Sequence, residues 1–265
     1  MVEELAALMD WLIPDWPAPA QVRAMCTTRV GGISKVPFDS LNLGDHVGDS
    51  QAAVAANRIL LQEAMDARPH FLAQVHGTHC VTLTDATAMG VEADGCITSQ
   101  PRLACSVMAA DCLPVLLADA RGSVVAAAHA GWRGLAGQAG HGILESVLAS
   151  LDHVRCTVGM ADRSDILVWL GPCIGSQAFE VGADVRNAFV TQTPAAAAMF
   201  LEMPGDKWLA DLQGLARLRL RALGVKRIYG NDGTRSWCTV SHPEQFFSYR
   251  RDRVCGRMAA CIWLA

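Results

Sequence analysis

The sequence predicts a single mixed α/β domain with an interior sheet, and three observations carry that prediction. Short apolar runs rich in Val, Leu and Ala, at residues 104–109, 113–118, 166–170 and 256–264, are bounded by turn residues and read as buried strands. Amphipathic stretches of helical length are interspersed among them without a regular strand-helix-strand rhythm, an internal repeat or a low-complexity linker. Hydrophobic residues make up 51% of the 265 residues and charged residues 18%, the composition of a well-packed globular chain. No boundary stands out, so residues 1–265 are read as one domain.

In chain order, residues 1–21 offer a short amphipathic segment followed by a proline-rich turn from Pro14 to Pro19. Residues 22–28 read as a strand, and 29–48 as a long loop dense in Gly, Ser, Asn and Asp, a length that in a compact domain points to function. Ser50 is placed as the N-cap of a helix running to about Asp66, with Val54, Ile59, Leu60 and Leu61 on its buried side. Strands follow at 71–75 and 81–84, around His76-Gly77-Thr78-His79. The run 123–128 is a further strand ending on His129, and a helix is expected from about Gly134 to Leu151. Beyond the strand at 166–170, helices are expected near 176–191 and 208–223. A strand at 226–229 and the closing strand at 256–264 complete the reading.

Charge and cysteine usage exclude several classes of function. With 22 basic and 26 acidic residues the chain is formally −4, without the basic surface that nucleic-acid binding requires. No apolar stretch reaches a membrane span, and the N-terminus carries acids where an export signal carries Lys or Arg, so a cytoplasmic enzyme is expected. Ten scattered cysteines with no CxxC pair fit reduced thiols, and Cys105, Cys156 and Cys261 are read as packing residues.

The chemistry concentrates between residues 104 and 137. His76, Cys112 and His129 each close or border an apolar strand before a turn. If those strands are neighbours, three donors of the kind zinc takes converge at one sheet edge, and three protein ligands leave a fourth position open. Read one by one, each is equally at home as a packed or hydrogen-bonded residue. Gly131-Trp132-Arg133-Gly134 suggests a tight turn before a helix start suited to an anion, with Arg133 as a bidentate fork or as a partner for a surface acid.

A set of motifs then acquires a common meaning: TRVGGISKVPFDSLNLGDHVGD (28–49), AANRILL (55–61), QVHG (74–77), ADG (93–95), ADCLPVLLAD (110–119), HAGWRGLAG (129–137), GPCIGSQAFEVG (171–182) and FFSYRRD (246–252). Together they resemble the YfiH-type laccase-domain family, proteins described as purine nucleoside phosphorylases, formerly as multicopper polyphenol oxidoreductases and, for some relatives, as peptidoglycan-editing factors. The resemblance implies a four-layer α/β/β/α sandwich, related to cysteine hydrolases, with a metal site on His76, Cys112 and His129. It implies phosphorolysis of adenosine, inosine, guanosine and methylthioadenosine, and adenosine deamination, with zinc as the metal and copper as a possible occupant. Purine nucleosides and phosphate are the expected partners, with no nucleic acid and no membrane; the oligomeric state is left open. Arg58 matches a basic position near the family's site and is assigned with Arg133 and Asn42 to substrate or phosphate. Asp111 is assigned to proton transfer or to orienting a histidine ligand. The chain departs from the family after SYRRD, where Arg253 stands in place of the more usual Gly and should alter a turn, not the chemistry.

Two alternatives belong to other classes. Cys112 with His129 or His76 as base would make a hydrolase of amide or ester bonds. Copper-dependent phenol oxidation ranks last, because multicopper oxidases use HxH pairs and this chain has none.

Overall fold

The computed structural model describes residues 9–157 and 162–265. The amphipathic segment expected at the N-terminus lies partly outside these residues. Its mixed α/β architecture is built on two facing sheets. The smaller has the order β1-β13-β5-β2, made from Val22–Cys26, Met258–Leu264, Leu103–Ala109 and Arg68–Phe71. The larger runs β12-β8-β6-β7-β4-β3, made from Arg227–Gly230, Ile166–Leu170, Leu113–Asp119, Val125–Ala130, Gly95–Thr98 and Cys80–Thr82.

Period-two alternation sorts each central strand between two cores. On β5, Leu103, Cys105 and Val107 join Leu116 and Ala118 of β6, Val125 and Ala127 of β7 and Ile262 of β13 in the core between the sheets. Ala104 and Met108 face the other way, onto Leu61, Ala64 and Met65 of helix α1 (Gln51–Met65), whose start is capped by the Ser50 side chain as expected. On the outer face of the larger sheet, Leu113, Val115, Leu117, Ala126 and Ala128 meet Leu144, Val147 and Leu148 of a later helix, Ile143–Thr157. Truncating one of these leucines to alanine costs about 2–5 kcal/mol. Gly95 is needed there for space: a Cβ on it would lie 2.6 Å from Val147 Cγ2.

Several boundaries differ from expectation. The helix predicted from Gly134 to Leu151 is two helices, α2 (Trp132–Ala136) and α3 (Ile143–Thr157). Gly137 ends the first with φ +63°, and its missing Cβ would lie 2.1 Å from the His141 carbonyl oxygen. The regions expected to be helical at 176–191 and 208–223 each contain a strand before their helix, the first of them after a turn at residues 176–178. Glu180–Gly182 (β9), Phe200–Met203 (β10) and Lys207–Ala210 (β11) form a third sheet in the order β10-β11-β9, and helices α4 (Ala183–Val190) and α5 (Leu212–Ala222) follow β9 and β11. The strand expected at 71–75 lies earlier, at Arg68–Phe71, and β4 was not anticipated. Cys105 and Cys261 are buried, but Cys156 is exposed on α3. A final short helix, α6 (Tyr249–Asp252), follows the FFS segment.

Candidate metal centre and its cavity

Strand register brings the proposed donors together. On β6 and β7, Leu113 pairs with Ala130 and Pro114 with His129, so Cys112, one residue before β6, lies beside the end of β7. On the other side Gly95 pairs with Ala128, and the His129 N–H donates to the Asp94 carbonyl at 2.7 Å. His129 shares its parity with Val125 and Ala127 and faces the smaller sheet. His76 completes the group from the turn after β2. One atom each of His76, Cys112 and His129 lies within 4.8 Å of the others, the one such group of three among the described residues.

Asp94 organises two of the three. Its buried carboxylate accepts from three consecutive backbone N–H groups, Val75 at 3.1 Å, His76 at 2.9 Å and Gly77 at 2.6 Å. This nest holds His76 at φ +61°, a conformation L residues rarely adopt, and the charge-assisted bonds offset its cost. Asp94 also lies 2.8 Å from His129 Nδ1, which leaves Nε2 of that ring for a ligand. Burial pushes the Asp94 carboxyl up, but His129 and the backbone donors outweigh it and hold it below the usual range. Burial likewise raises the Cys112 thiol, and His129 with His76 pulls it down to about 6; burial lowers His129, and Cys112 and Asp94 raise it to about 9. Gly131 leaves room for the group: a Cβ there would sit 3.0 Å from both Cys112 Sγ and His76 Cδ2.

Two imidazoles and an acidified thiol around a side-chain-free gap fit a borderline-soft metal such as zinc or copper. Soft and nitrogen donors of this kind exclude calcium and magnesium as natural occupants.

The trio opens on a cavity of about 610 Å³. Its wall carries Arg133, Arg250, Arg253, Arg257 and His46 but, among the described residues, only one carboxylate, Asp111, in a chain whose net charge is −4. Phe179, Trp132, Tyr249, Ile174 and Leu212 supply apolar surface. Arg133 stacks on Trp132 at 4.4 Å and Arg250 on Phe179 at 5.6 Å.

The structure thus brings five of the anticipated residues to one cavity, His76, Cys112, His129, Asp111 and Arg133, and His46 of the long loop joins them. Arg58 and Asn42 do not line it. Arg58 donates to the Leu43 carbonyl at 2.9 Å, pairs with Asp45 at 3.2 Å and lies 4.2 Å above the Phe71 ring. Asn42 is buried and bonds Gly44, Asp49 and the Arg257 N–H, so both brace the long loop. Asp111 does not touch the histidines through its carboxylate, which accepts from Thr239 Oγ1 and from the Arg250 N–H, each at 2.6 Å; Asp94 orients His129 instead. The expected anion-binding helix start after His129 is a single turn of five residues, too short to concentrate a dipole, so cation charge on this wall comes from side chains. Asp94 lies in ADG, and Arg250 in FFSYRRD, motifs that carried the resemblance without a role; Arg253, expected to alter only a turn, lines the cavity, and Arg257 follows in a segment with no signal beyond charge. At Arg253 φ is +63°, the glycine-favouring conformation its departure from the family suggested.

Comparison with known proteins places the whole chain among relatives of similar length and fold. The family described as multi-copper polyphenol oxidoreductase laccase matches residues 23–265. A purine nucleoside phosphorylase of Pseudomonas aeruginosa is 48% identical over 257 residues, 96% of this chain and 98% of that protein. The purine nucleoside phosphorylase YfiH of Escherichia coli is 46% identical, over 96% and 98% respectively. Among solved structures, a Neisseria meningitidis DUF152 protein aligns with a TM-score of 0.88 at 46% identity, covering 96% of this chain and 98% of its own. YlmD of Geobacillus stearothermophilus aligns at 0.80 and 34% identity, with 92% of each chain covered. Motifs, fold and relatives coincide over nearly the whole length, and the chain belongs to the YfiH-type laccase-domain family.

Proposed function

We propose that this chain is a zinc-dependent purine nucleoside phosphorylase that also deaminates adenosine, with adenosine, inosine, guanosine and methylthioadenosine as substrates. It would work as a cytoplasmic enzyme without nucleic-acid or membrane partners. The observation that carries the reading is the joining of a His-Cys-His donor set and an arginine-rich wall in one cavity. The names of the relatives from Pseudomonas aeruginosa and Escherichia coli support the nucleoside class.

Phosphorolysis joins inorganic phosphate to the anomeric carbon of the ribose as the C–N bond to the purine breaks. Arg133, Arg250, Arg253 and Arg257 would hold the phosphate by charge-assisted hydrogen bonds and keep it beside that carbon. Trp132, Phe179 and Tyr249 offer flat surface to the purine. His76, Cys112 and His129 would hold the metal, which supplies Lewis-acid polarisation when bound. Asp94 keeps His129 in the tautomer that presents Nε2. The layering of α1, the two sheets and α3 supports the four-layer, cysteine-hydrolase-like description.

The test uses metal-defined protein incubated with adenosine, with and without phosphate. Adenine formed only with phosphate demonstrates phosphorolysis, and inosine without phosphate demonstrates deamination. The proximity of Cys112 to His76 and His129 favours one second reading, a Cys-His hydrolase of amide bonds. Covalent trapping of Cys112 together with amidase activity that survives chelation would replace the first reading with this one. Copper content with phenol oxidation would establish the remaining alternative.

A further inference from the structure

Asp111 is the one acid on the cavity wall, yet its carboxylate is turned away from solvent chemistry. Oδ1 accepts from Thr239 Oγ1 and Oδ2 from the Arg250 N–H, both at 2.6 Å, and its own carbonyl accepts from the Ile174 N–H at 2.9 Å. The residue is 9% exposed and sits at φ +95°. A side chain held in that conformation with both oxygens engaged is a fixed strut.

What it fixes is the arginine wall. Arg250 is the second residue of α6, so its N–H is one of the orphan donors of a helix start, and Asp111 satisfies it while Ser248 Oγ serves the next, Arg251. Arg251 then ties the turn back to Thr239, donating to its carbonyl at 2.8 Å and to the Phe246 carbonyl at 2.9 Å. Thr239 is itself pinned by its N–H to the Cys173 carbonyl. Asp111, Thr239 and the α6 turn form one closed knot that anchors the backbone of Arg250, while its guanidinium donates to the Ala178 and Glu180 carbonyls and lies over Phe179; Arg250 and Arg253 both line the cavity. Asp111 is also the immediate neighbour of Cys112, so one backbone step separates the metal donor from the strut.

We infer that Asp111 is a positioning residue for oxyanion binding: it sets Arg250 and Arg253 against the metal side of the cavity and takes no proton in the reaction. The inference rests on the phosphorylase reading for its substrate and deepens it by assigning the anion side to the α6 turn.

The test compares Asp111→Asn with Asp111→Gly in metal-loaded protein. Asparagine tolerates positive φ and still spans both partners, because the Thr239 hydroxyl accepts as readily as it donates. Glycine removes the strut without strain at φ +95°. Asp111→Gly raises the phosphate KM about tenfold, the loss of one charge-assisted bond, with nucleoside KM and bound metal unchanged. Asp111→Asn stays within about threefold of the parent in kcat and in both KM values, a change of under 1 kcal/mol. Collapse of kcat in Asp111→Asn makes Asp111 a proton-transfer group and overturns the inference. Metal loss in Asp111→Gly, or equal rises in both KM values, also overturns it.

Calorimetric titration with inorganic phosphate separates this inference from the reading beneath it. If the parent binds phosphate but forms no free base, and Asp111→Gly weakens that binding, the strut stands and phosphorolysis falls. If turnover needs phosphate yet Asp111→Gly binds it as the parent does, phosphorolysis stands and the strut falls.

Discussion

The cavity has two walls made in different ways. The metal wall is assembled by strand register: β4, β6 and β7 end together, and Asp94 links their ends to the His76 turn through buried hydrogen bonds. The arginine wall is assembled by chain irregularity, a four-residue helix, a positive-φ arginine and a knot of side-chain-to-backbone bonds. The first is rigid because each donor belongs to a sheet or is tied to one. The second is held by a few polar contacts and so is the wall where substrate preference can be tuned at small cost to the fold.

Substitutions on the metal wall should show the largest effects. Cys112→Ala removes a ligand, and metal per chain falls below about a tenth of the parent value while nucleoside turnover drops at least about a hundredfold. Elemental analysis and product chromatography check both; full metal and full turnover would break the assignment of this wall. Asp94→Asn keeps the shape but loses the charge that orients His129, and metal affinity falls about 10- to 100-fold, read by competition with a chromogenic chelator.

In metal-free protein the same wall is chemically reactive. The Cys112 thiol titrates near 6 beside His129 and His76, so thiolate predominates above that pH and is lost below it. Iodoacetamide labelling of Cys112 therefore slows about tenfold between pH 7 and pH 5. Buried Cys261, pushed up to about 12, stays unlabelled throughout, as peptide mass spectrometry would show.

The arginine wall responds in another parameter. Arg253→Gly relieves the positive φ, so the melting temperature does not fall, while the phosphate KM rises about tenfold. A simultaneous loss of stability would show that Arg253 serves the fold. Arg58→Ala, away from the cavity, leaves the phosphate KM unchanged and costs about 1–2 kcal/mol in denaturant unfolding through its lost bond to Leu43.

The same division decides what was legible in the sequence. Strands β5, β6, β8 and β13 are continuous apolar runs, and α1 follows from Ser50 and its apolar stripe, so local patterning suffices. Strand β4 is four residues, and β9 to β11 are three or four residues of mixed, partly exposed character, too short for a period to emerge. His76, Cys112 and His129 were visible because each ends or borders a recognisable run. Asp94 was not, since nothing local shows that its carboxylate points into a nest formed by residues 75–77. Arg250 and Arg257 are tied to the cavity by backbone bonds to Asp111 and Asn42, more than 100 positions away in sequence, and Arg250 also by its bonds to the Ala178 and Glu180 carbonyls. Arg58, assigned through the resemblance, does not line the cavity itself; it pairs with Asp45, beside the lining residue His46.

The unequal burial of the two imidazoles has a consequence for how an ion would reach this trio. His129 is 3% exposed and sealed by Asp94, whereas His76 stands exposed at the rim. A metal held by this trio would load and leave through the rim, where His76 would be the most accessible of the three donors. Exchange would then be a property of one turn, and a chelator would empty the site, and a fresh ion refill it, without passing through an unfolded chain.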